Sequence, residues 1–221
     1  MDGHGMNERI ATLETIERGG VIAVLRGVSA ETLEEIATAL VDGGITAVEV
    51  TANTSGVSEK IETLADIFAD EDVVVGAGTV LDGPTARTVH LAGAEFIVTP
   101  TLNEDVIRVS NRYGVPVVPG VFTPSEALEA SELGADAVKL FPASSVGPAH
   151  ISAINGPLPQ IDIIPTGGIN QENTGAYIEA GATAVGAGSS LVPDEAVRNH
   201  DWERIERRAK AFVHEVENAR S

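Results

Sequence analysis

Lys139 is the residue of this chain best placed for covalent chemistry. Only three lysines occur in 221 residues. Lys60 and Lys210 fall in polar, helix-like stretches. Lys139 instead sits in Ala137-Val138-Lys139-Leu140-Phe141, an apolar run bounded by Gly134 and Pro142. Holding an ammonium inside such a run costs free energy unless a partner or a task retains it. An amine kept from water gives up its proton more readily, and the neutral amine attacks carbonyl carbon to form a Schiff base. Glu49 shows the same anomaly, as the only carboxylate in mid-strand, within Ala47-Val48-Glu49-Val50-Thr51. Alternation puts Ala47, Glu49 and Thr51 on one face, and Ala137, Lys139 and Phe141 on one face of another strand. If both faces point inward, a nucleophile and a proton carrier share one interior. The competing reading is a buried ion pair without catalytic use, though such pairs are weak evidence for stability.

Other candidates cluster at the ends of apolar runs. Arg26 closes Ala23-Val24-Leu25-Arg26-Gly27, where its planar fork suits a carboxylate. A rim salt bridge is the alternative. Gly76-Ala77-Gly78-Thr79 follows the third run; its glycines allow close backbone approach to a ligand, and Thr79 offers a hydroxyl. Two later turns are more specific. Thr166-Gly167-Gly168-Ile169 leads from the seventh run into a helix, and Gly186-Ala187-Gly188-Ser189 follows the eighth. Glycine turns with free N–H groups after strands seven and eight of a barrel form a common phosphate cradle. Simple tight turning is the alternative. The five histidines lie outside strand ends and read as surface residues. No spacing resembles a metal site and no Ser-His-Asp arrangement can be placed. With no cysteine present, thiolate sites and thiol catalysis are excluded. The expectation is an amine mechanism with no metal and no cofactor.

These residues need elements to hold them. Short β-branched runs alternate with amphipathic stretches throughout. The expected strands are Val21–Leu25, Ala47–Thr51, Val73–Gly76, Phe96–Thr99, Val117–Val118, Ala137–Leu140, Ile161–Pro165 and Ala184–Ala187. Between them lie seven helical patterns, with an extra helix at Asn7–Arg18 and a last one at Asp201–Asn218. Gly44, Gly93, Gly134 and Gly181 each close a helix shortly before a strand, a repeated left-handed terminator. Alternating strands and helices require parallel pairing with right-handed crossovers. Eight such units without a break in composition favour a closed (β/α)₈ TIM barrel over an open doubly wound sheet. The expected organisation is one domain over residues 1–221, with its core at about 21–192 and no linker or repeat array.

Composition narrows the partners. Hydrophobic residues make up 43%, enough for a large core, while aromatics are only 4%. No apolar run approaches the roughly 18 residues needed to cross a bilayer. Met1 to Gly5 lacks the basic and apolar regions of a secretory signal, so a cytoplasmic location is expected. Asp and Glu number 33 against 14 Lys and Arg, a net charge of −19. That balance argues against nucleic acid or an anionic membrane as partner. Lysine scarcity with acidic excess also reads as adaptation to high salt, where self-repulsion is screened.

Four segments, in this order and spacing, carry a family resemblance: Val48-Glu49-Val50-Thr51, Gly76-Ala77-Gly78-Thr79-Val80, Val138-Lys139-Leu140-Phe141-Pro142 and Pro165-Thr166-Gly167-Gly168-Ile169. From about Val21 to Val192 the chain resembles the bacterial-type 2-keto-3-deoxy-6-phosphogluconate (KDPG) aldolases of the KDPG/KHG superfamily. The resemblance implies a trimeric (β/α)₈ barrel that splits a phosphorylated 2-keto-3-deoxy sugar acid into pyruvate and glyceraldehyde 3-phosphate. It makes Lys139 the Schiff-base lysine and Glu49 the general acid/base. It places Thr79, Thr99, Pro100 and Phe141 around pyruvate, and Gly167, Gly168, Gly188 and Ser189 around phosphate. One departure is visible. The best-known branch has an arginine four residues after the glutamate, and Asn53 stands there. A second branch takes its arginine from the end of strand one, which Arg26 matches. That branch also holds galactonate-type (KDPGal) aldolases. Thr166, before Gly167-Gly168, favours the gluconate type. A phosphosugar epimerase, a non-catalytic phosphosugar-binding protein and 4-hydroxy-2-oxoglutarate cleavage are the other readings.

Overall fold

Every strand is buried along its whole length, as parallel sheet must be when helices cover one side and its own interior fills the other. A computed structural model describes residues 4–221. Part of the segment expected to carry no secretory signal therefore lies outside the described residues. The strands are β1 (Val21–Leu25), β2 (Ala47–Thr51), β3 (Val74–Gly78), β4 (Phe96–Val98), β5 (Val117–Val118), β6 (Gly120–Val121), β7 (Val138–Leu140), β8 (Ile163–Pro165) and β9 (Val185–Ala187). Pairing runs β5-β4-β3-β2-β1-β9 and β6-β7-β8, all parallel. β5 and β6 are one barrel strand interrupted at Pro119, which has no N–H to give a ladder. A Thr166–Gly186 bridge joins β8 to β9 and closes the ring. The result is a (β/α)₈ barrel.

The helices are α1 (His4–Gly19), α2 (Leu33–Asp42), α3 (Val57–Ile67), α4 (Gly83–Leu91), α5 (Glu104–Tyr113), α6 (Pro124–Glu132), α7 (Pro148–Asn155), α8 (Gln171–Glu179), α9 (Asp194–Arg198) and α10 (Trp202–Arg220). All eight expected strand positions and nine helices are present, with ends shifted by a few residues. The sequence pattern missed α9, the β6 fragment and a short 3₁₀ turn at Ala143–Ser145. The four glycine turns share one geometry. Gly44, Gly93, Gly134 and Gly181 have φ between +92° and +101°. The next N–H returns to the carbonyl five residues back, as in Ile45 to Leu40 and Ala94 to Val89.

Two apolar layers follow from strand alternation. Val48, Val50, Val138 and Leu140 face outward into the layer beneath the helices. Ile22, Ala47, Val74, Phe96, Val98, Val118, Ala137, Ile164 and Ala184 fill the barrel interior, and Ile16 of α1 joins them. α1 thus lies across the amino-terminal ends of the strands and plugs that end. Arg9 fastens it: Nε and one terminal nitrogen each donate to Asp136 at 2.7 Å, and that nitrogen also reaches Asn111 Oδ1 at 2.8 Å. The carboxylates at strand starts do related work. Glu95 accepts from Val75 N at 3.1 Å, Asp136 from Val117 N at 2.8 Å, and Asp162 from the Thr183 hydroxyl at 2.8 Å.

The Arg9–Asp136 pair is only 20% and 10% exposed, so removing the guanidinium strands a largely buried carboxylate. Arg9→Ala is expected to cost about 2 kcal/mol of stability in denaturant titration. Turnover per folded molecule should be unchanged, because the pair sits at the far end from the cleft.

Candidate active site

Inward alternation brings Lys139 and Glu49 into the same interior from strands on opposite sides of the ring. Lys139 is 4% exposed and Glu49 2% exposed. They form no ion pair within 4.0 Å, yet the Lys139 charge is felt by the Glu49 carboxyl. Burial pushes the Glu49 pKa above its ordinary value of 4.5, and the positive charges of Lys139 and Arg26 offset only part of that. Its Oε1 is without a hydrogen-bond partner among the described residues. A buried carboxyl so held is not half of a close salt bridge, and a perturbed, unpartnered carboxyl marks a candidate functional group.

Space for this carboxyl comes from β3. Residues 74, 76 and 78 alternate inward, and two of them are glycine. A Cβ on Gly78 would overlap the Glu49 carboxylate, and one on Gly76 would overlap the Phe96 ring. The sequence pattern reads these glycines as making room for a ligand; the structure gives their space to side chains from neighbouring strands. Thr79, the next residue, has φ +56° and is half-buried. A β-branched residue in the left-handed region carries strain on the order of 1–3 kcal/mol, which tends to persist where function demands it.

A cleft of about 830 Å³ opens at the carboxyl ends of β1, β8 and β9, with Phe141, just after β7, also lining it. Among the candidates, Arg26, Phe141, Thr166, Gly167, Gly168, Gly188 and Ser189 line it. Lys139, Glu49, Thr79, Thr99 and Pro100 do not line it. The link is Phe141, whose ring faces the cleft with its centroid 5.1 Å from Lys139 Nζ. Thr99 is not brought to the cleft. It is fully buried, its hydroxyl donating to Thr101 O and accepting from Gly120 N at 3.3 Å. Pro100, half-buried, packs its backbone against Gly120, where a Cβ would collide.

The loops around the cleft are held individually. Gly27, just after Arg26, has φ +66° and donates its N–H to Thr54 Oγ1 at 3.2 Å. Thr54 in turn meets the buried Thr51 hydroxyl at 3.0 Å. Gly167 and Gly168 have φ of +90° and +82°. Asn170 and Asn173 cap α8 reciprocally, and Asn173 Nδ2 also donates to Gly168 O at 2.9 Å. The Ser190 hydroxyl ties the last loop to Ile169 O at 2.6 Å. These ties aim two glycine turns at one space, an arrangement suited to an anion.

Lys60, in a stretch read as polar and helix-like, is buried. It is 7% exposed, its stem packed down and Nζ donating to Ser55 O at 2.8 Å. His200, expected on the surface, is exposed but also lines the cleft, as does Arg198. Neither is found by the strand-end rule, since both lie on or after α9.

The model for the family described as KDPG and KHG aldolase matches residues 13–208. The chain belongs to this aldolase family. It is 36% identical over 87% of its length to 2-dehydro-3-deoxy-6-phosphogalactonate aldolase of Escherichia coli K12, covering 92% of that protein. It is 34% identical over 94% of its length to 2-dehydro-3-deoxy-phosphogluconate aldolase of Pseudoalteromonas atlantica, covering 96% of it. Among solved structures, the KDPG aldolase of Legionella pneumophila superposes with a TM-score of 0.82 at 34% identity, over 90% of this chain and 97% of that one. That relative holds pyruvate as a covalent carbinolamine intermediate. As a KDPG/KHG family aldolase, the chain is a carbon–carbon lyase.

The raised Glu49 pKa makes a directional prediction. The folded protein binds this proton more tightly than the unfolded chain, so Glu49 lowers stability progressively as pH rises above 4.5. Glu49→Gln cannot ionise and should be more stable than wild type at pH 7, the gap closing as pH falls toward 4.5. Denaturant titrations across pH check this; a less stable variant at pH 7 would contradict it.

Proposed function

We propose that this aldolase cleaves 2-keto-3-deoxy-6-phosphogluconate to pyruvate and glyceraldehyde 3-phosphate through a Schiff base on Lys139. The observation that carries the reading is a buried lysine on an inward face, linked through Phe141 to a cleft edged by glycine turns, with a raised carboxyl across the interior. Lys139 Nζ adds to the C2 ketone, and loss of water leaves a protonated imine. Glu49, directly or through a water, takes the C4 hydroxyl proton as the C3–C4 bond breaks. The electron pair of that bond flows into the imine, giving an enamine and releasing the aldehyde. Glu49 returns the proton at C3, and hydrolysis releases pyruvate and frees Lys139. A carboxyl lifted above its ordinary range suits both proton transfers.

Arg26 and Thr79 hold the substrate carboxylate, taking over from the arginine that Asn53 replaces. Phe141 and Pro100 wall the pyruvate end, while Thr99, buried with its hydroxyl engaged by the backbone, holds the Pro100 turn from behind. Gly167, Gly168, Gly188 and Ser189 take the phosphate, whose remote binding energy orients the reacting carbons. Identities of 36% to a galactonate-type relative and 34% to a gluconate-type one do not choose between C4 epimers. The choice of the gluconate type rests on the resemblance at Thr166, the residue before Gly167-Gly168, which lines the cleft. Cytoplasmic location, homotrimeric assembly and a saline setting complete the reading. Exposed Leu81, Leu91, Tyr113 and Leu128 supply apolar surface for subunit contact, and the net charge of −19 supports the last.

Borohydride reduction with pyruvate in molar salt, followed by peptide mass spectrometry, tests the covalent step. A pyruvate-derived adduct on Lys139 is expected, absent in Lys139→Ala. A folded wild-type sample that traps nothing would discard the imine and favour phosphosugar epimerisation. Glu49→Gln should still trap pyruvate but turn over about 10²-fold or more slowly. Thermal midpoints should rise from dilute buffer to molar salt as carboxylate repulsion is screened; a flat or falling trend would remove the halophile reading.

A further inference from the structure

Two arginines line the cleft, Arg26 and Arg198, with the His200 imidazole beside them, against two carboxylates, Glu31 and Asp194. Arg26 is taken by the proposed carboxylate contact, and Arg198 is so far unused. Its situation stands out among the eleven arginines of the chain. Arg9, Arg18, Arg108, Arg204 and Arg207 pair with carboxylates. Arg208 and Arg220 donate to main-chain carbonyls, and Arg87 lies 3.8 Å from the centroid of the Tyr113 ring. Among the described residues only Arg26, Arg112 and Arg198 have no such partner, and two of those three line the same cleft. In a chain with 33 acidic residues, unpaired guanidinium groups in one concavity mark a place where an anion is meant to sit.

The two ends of the cleft differ in what they offer. Gly167, Gly168, Gly188 and Ser189 bring backbone dipoles and a hydroxyl, but no full charge. A phosphate dianion approaching a protein of net charge −19 meets repulsion that neutral donors offset only locally. One residue of α9, Arg198, supplies a full positive charge there, on a helix whose Asp194 also lines the cleft. The helix begins just after the Ser189–Ser190 loop and runs for five residues, with Arg198 at its end. His200 follows with φ +51°, its ring edge-on to Trp202 at 5.2 Å, and lines the same wall.

We propose that Arg198 is the counter-charge for the substrate's phosphate and sets the preference for phosphorylated over unphosphorylated 2-keto-3-deoxy acids. Its planar fork matches two phosphate oxygens, and its exposed position at the cleft wall lets it engage the group as it enters. The inference rests on the aldolase reading above for its substrate, but not for its anion.

The test compares wild type, Arg198→Ala, Arg198→Lys and Arg112→Ala. Arg112 is an exposed, unpaired arginine outside the cleft, so its loss changes net charge equally. Cleavage of the 6-phosphorylated acid and of its unphosphorylated counterpart is measured for each. Arg198→Ala should lose about tenfold in kcat/KM on the phosphorylated substrate and less than about twofold on the other. Lysine should restore part of the loss, and Arg112→Ala should match wild type on both. Inorganic phosphate, titrated calorimetrically, should bind Arg198→Ala about tenfold more weakly than wild type. Equal losses on both substrates, no loss, or the same loss from Arg112→Ala would overturn the proposal. A missing pyruvate adduct on Lys139 with phosphate affinity still dependent on Arg198 would sink the aldolase reading and keep the anion site. An adduct with unchanged phosphate affinity would do the reverse.

Discussion

Burying Glu49 and Lys139 in one interior without direct contact is the constraint on which the surrounding structure depends. A close ion pair would hold the carboxylate ionised and the amine charged, leaving neither free for chemistry. Placement on strands from opposite sides of the ring keeps them apart, and both remain almost wholly buried. The carboxyl then needs a hollow of its own, which Gly78 supplies, while Gly76 accommodates Phe96 in the layer beneath. Strand alternation thereby converts a backbone pattern into an electrostatic one. The cost is an unpartnered carboxyl oxygen at the centre of the barrel.

Stability is drawn from elsewhere. The carboxylates at strand starts are spent on backbone N–H groups and on the Arg9 clamp, at the end of the barrel remote from the cleft. The outer layer of Val, Ile, Leu and Ala beneath the helices does the bulk of the apolar burial. The amino-terminal end of the barrel is built to hold and the carboxyl-terminal end to act. Thr79, in the left-handed region just after β3, stands at the second of these ends.

Much of this is legible in the sequence because it is local. Strand runs are short, β-branched and punctuated by the same Gly-containing αβ turn, so element order and barrel closure follow from pattern. A period of two sets Lys139 and Glu49 each on one strand face, and barrel closure turns those faces inward. The glycine turns at Gly167-Gly168 and Gly188-Ser189 are visible because their position after the last strands is itself informative. The rest depends on contacts distant in sequence. Nothing in Val-Val-Gly-Ala-Gly says that a phenylalanine twenty residues later and a glutamate on the preceding strand fill the gaps. α9 is too short to show a period, so Arg198 and His200 escape notice. Thr99 matches a pocket residue by alignment of motifs, yet its hydroxyl turns to the backbone. Lys60 reads as part of a polar, helix-like stretch until its ammonium is seen to reach Ser55 O.

Ile16 and α1, placed across the strand starts, leave the barrel a vessel with one mouth. Phe141, with its ring 5.1 Å from Lys139 Nζ, is the residue that both lines the open end and touches the amine's surroundings. Under the proposed cleavage, two fragments form at the floor of this vessel and cannot leave independently. The one bound nearer the rim has to clear the passage before the one anchored below can follow, so the plug at the closed end dictates a sequence of departures at the open one.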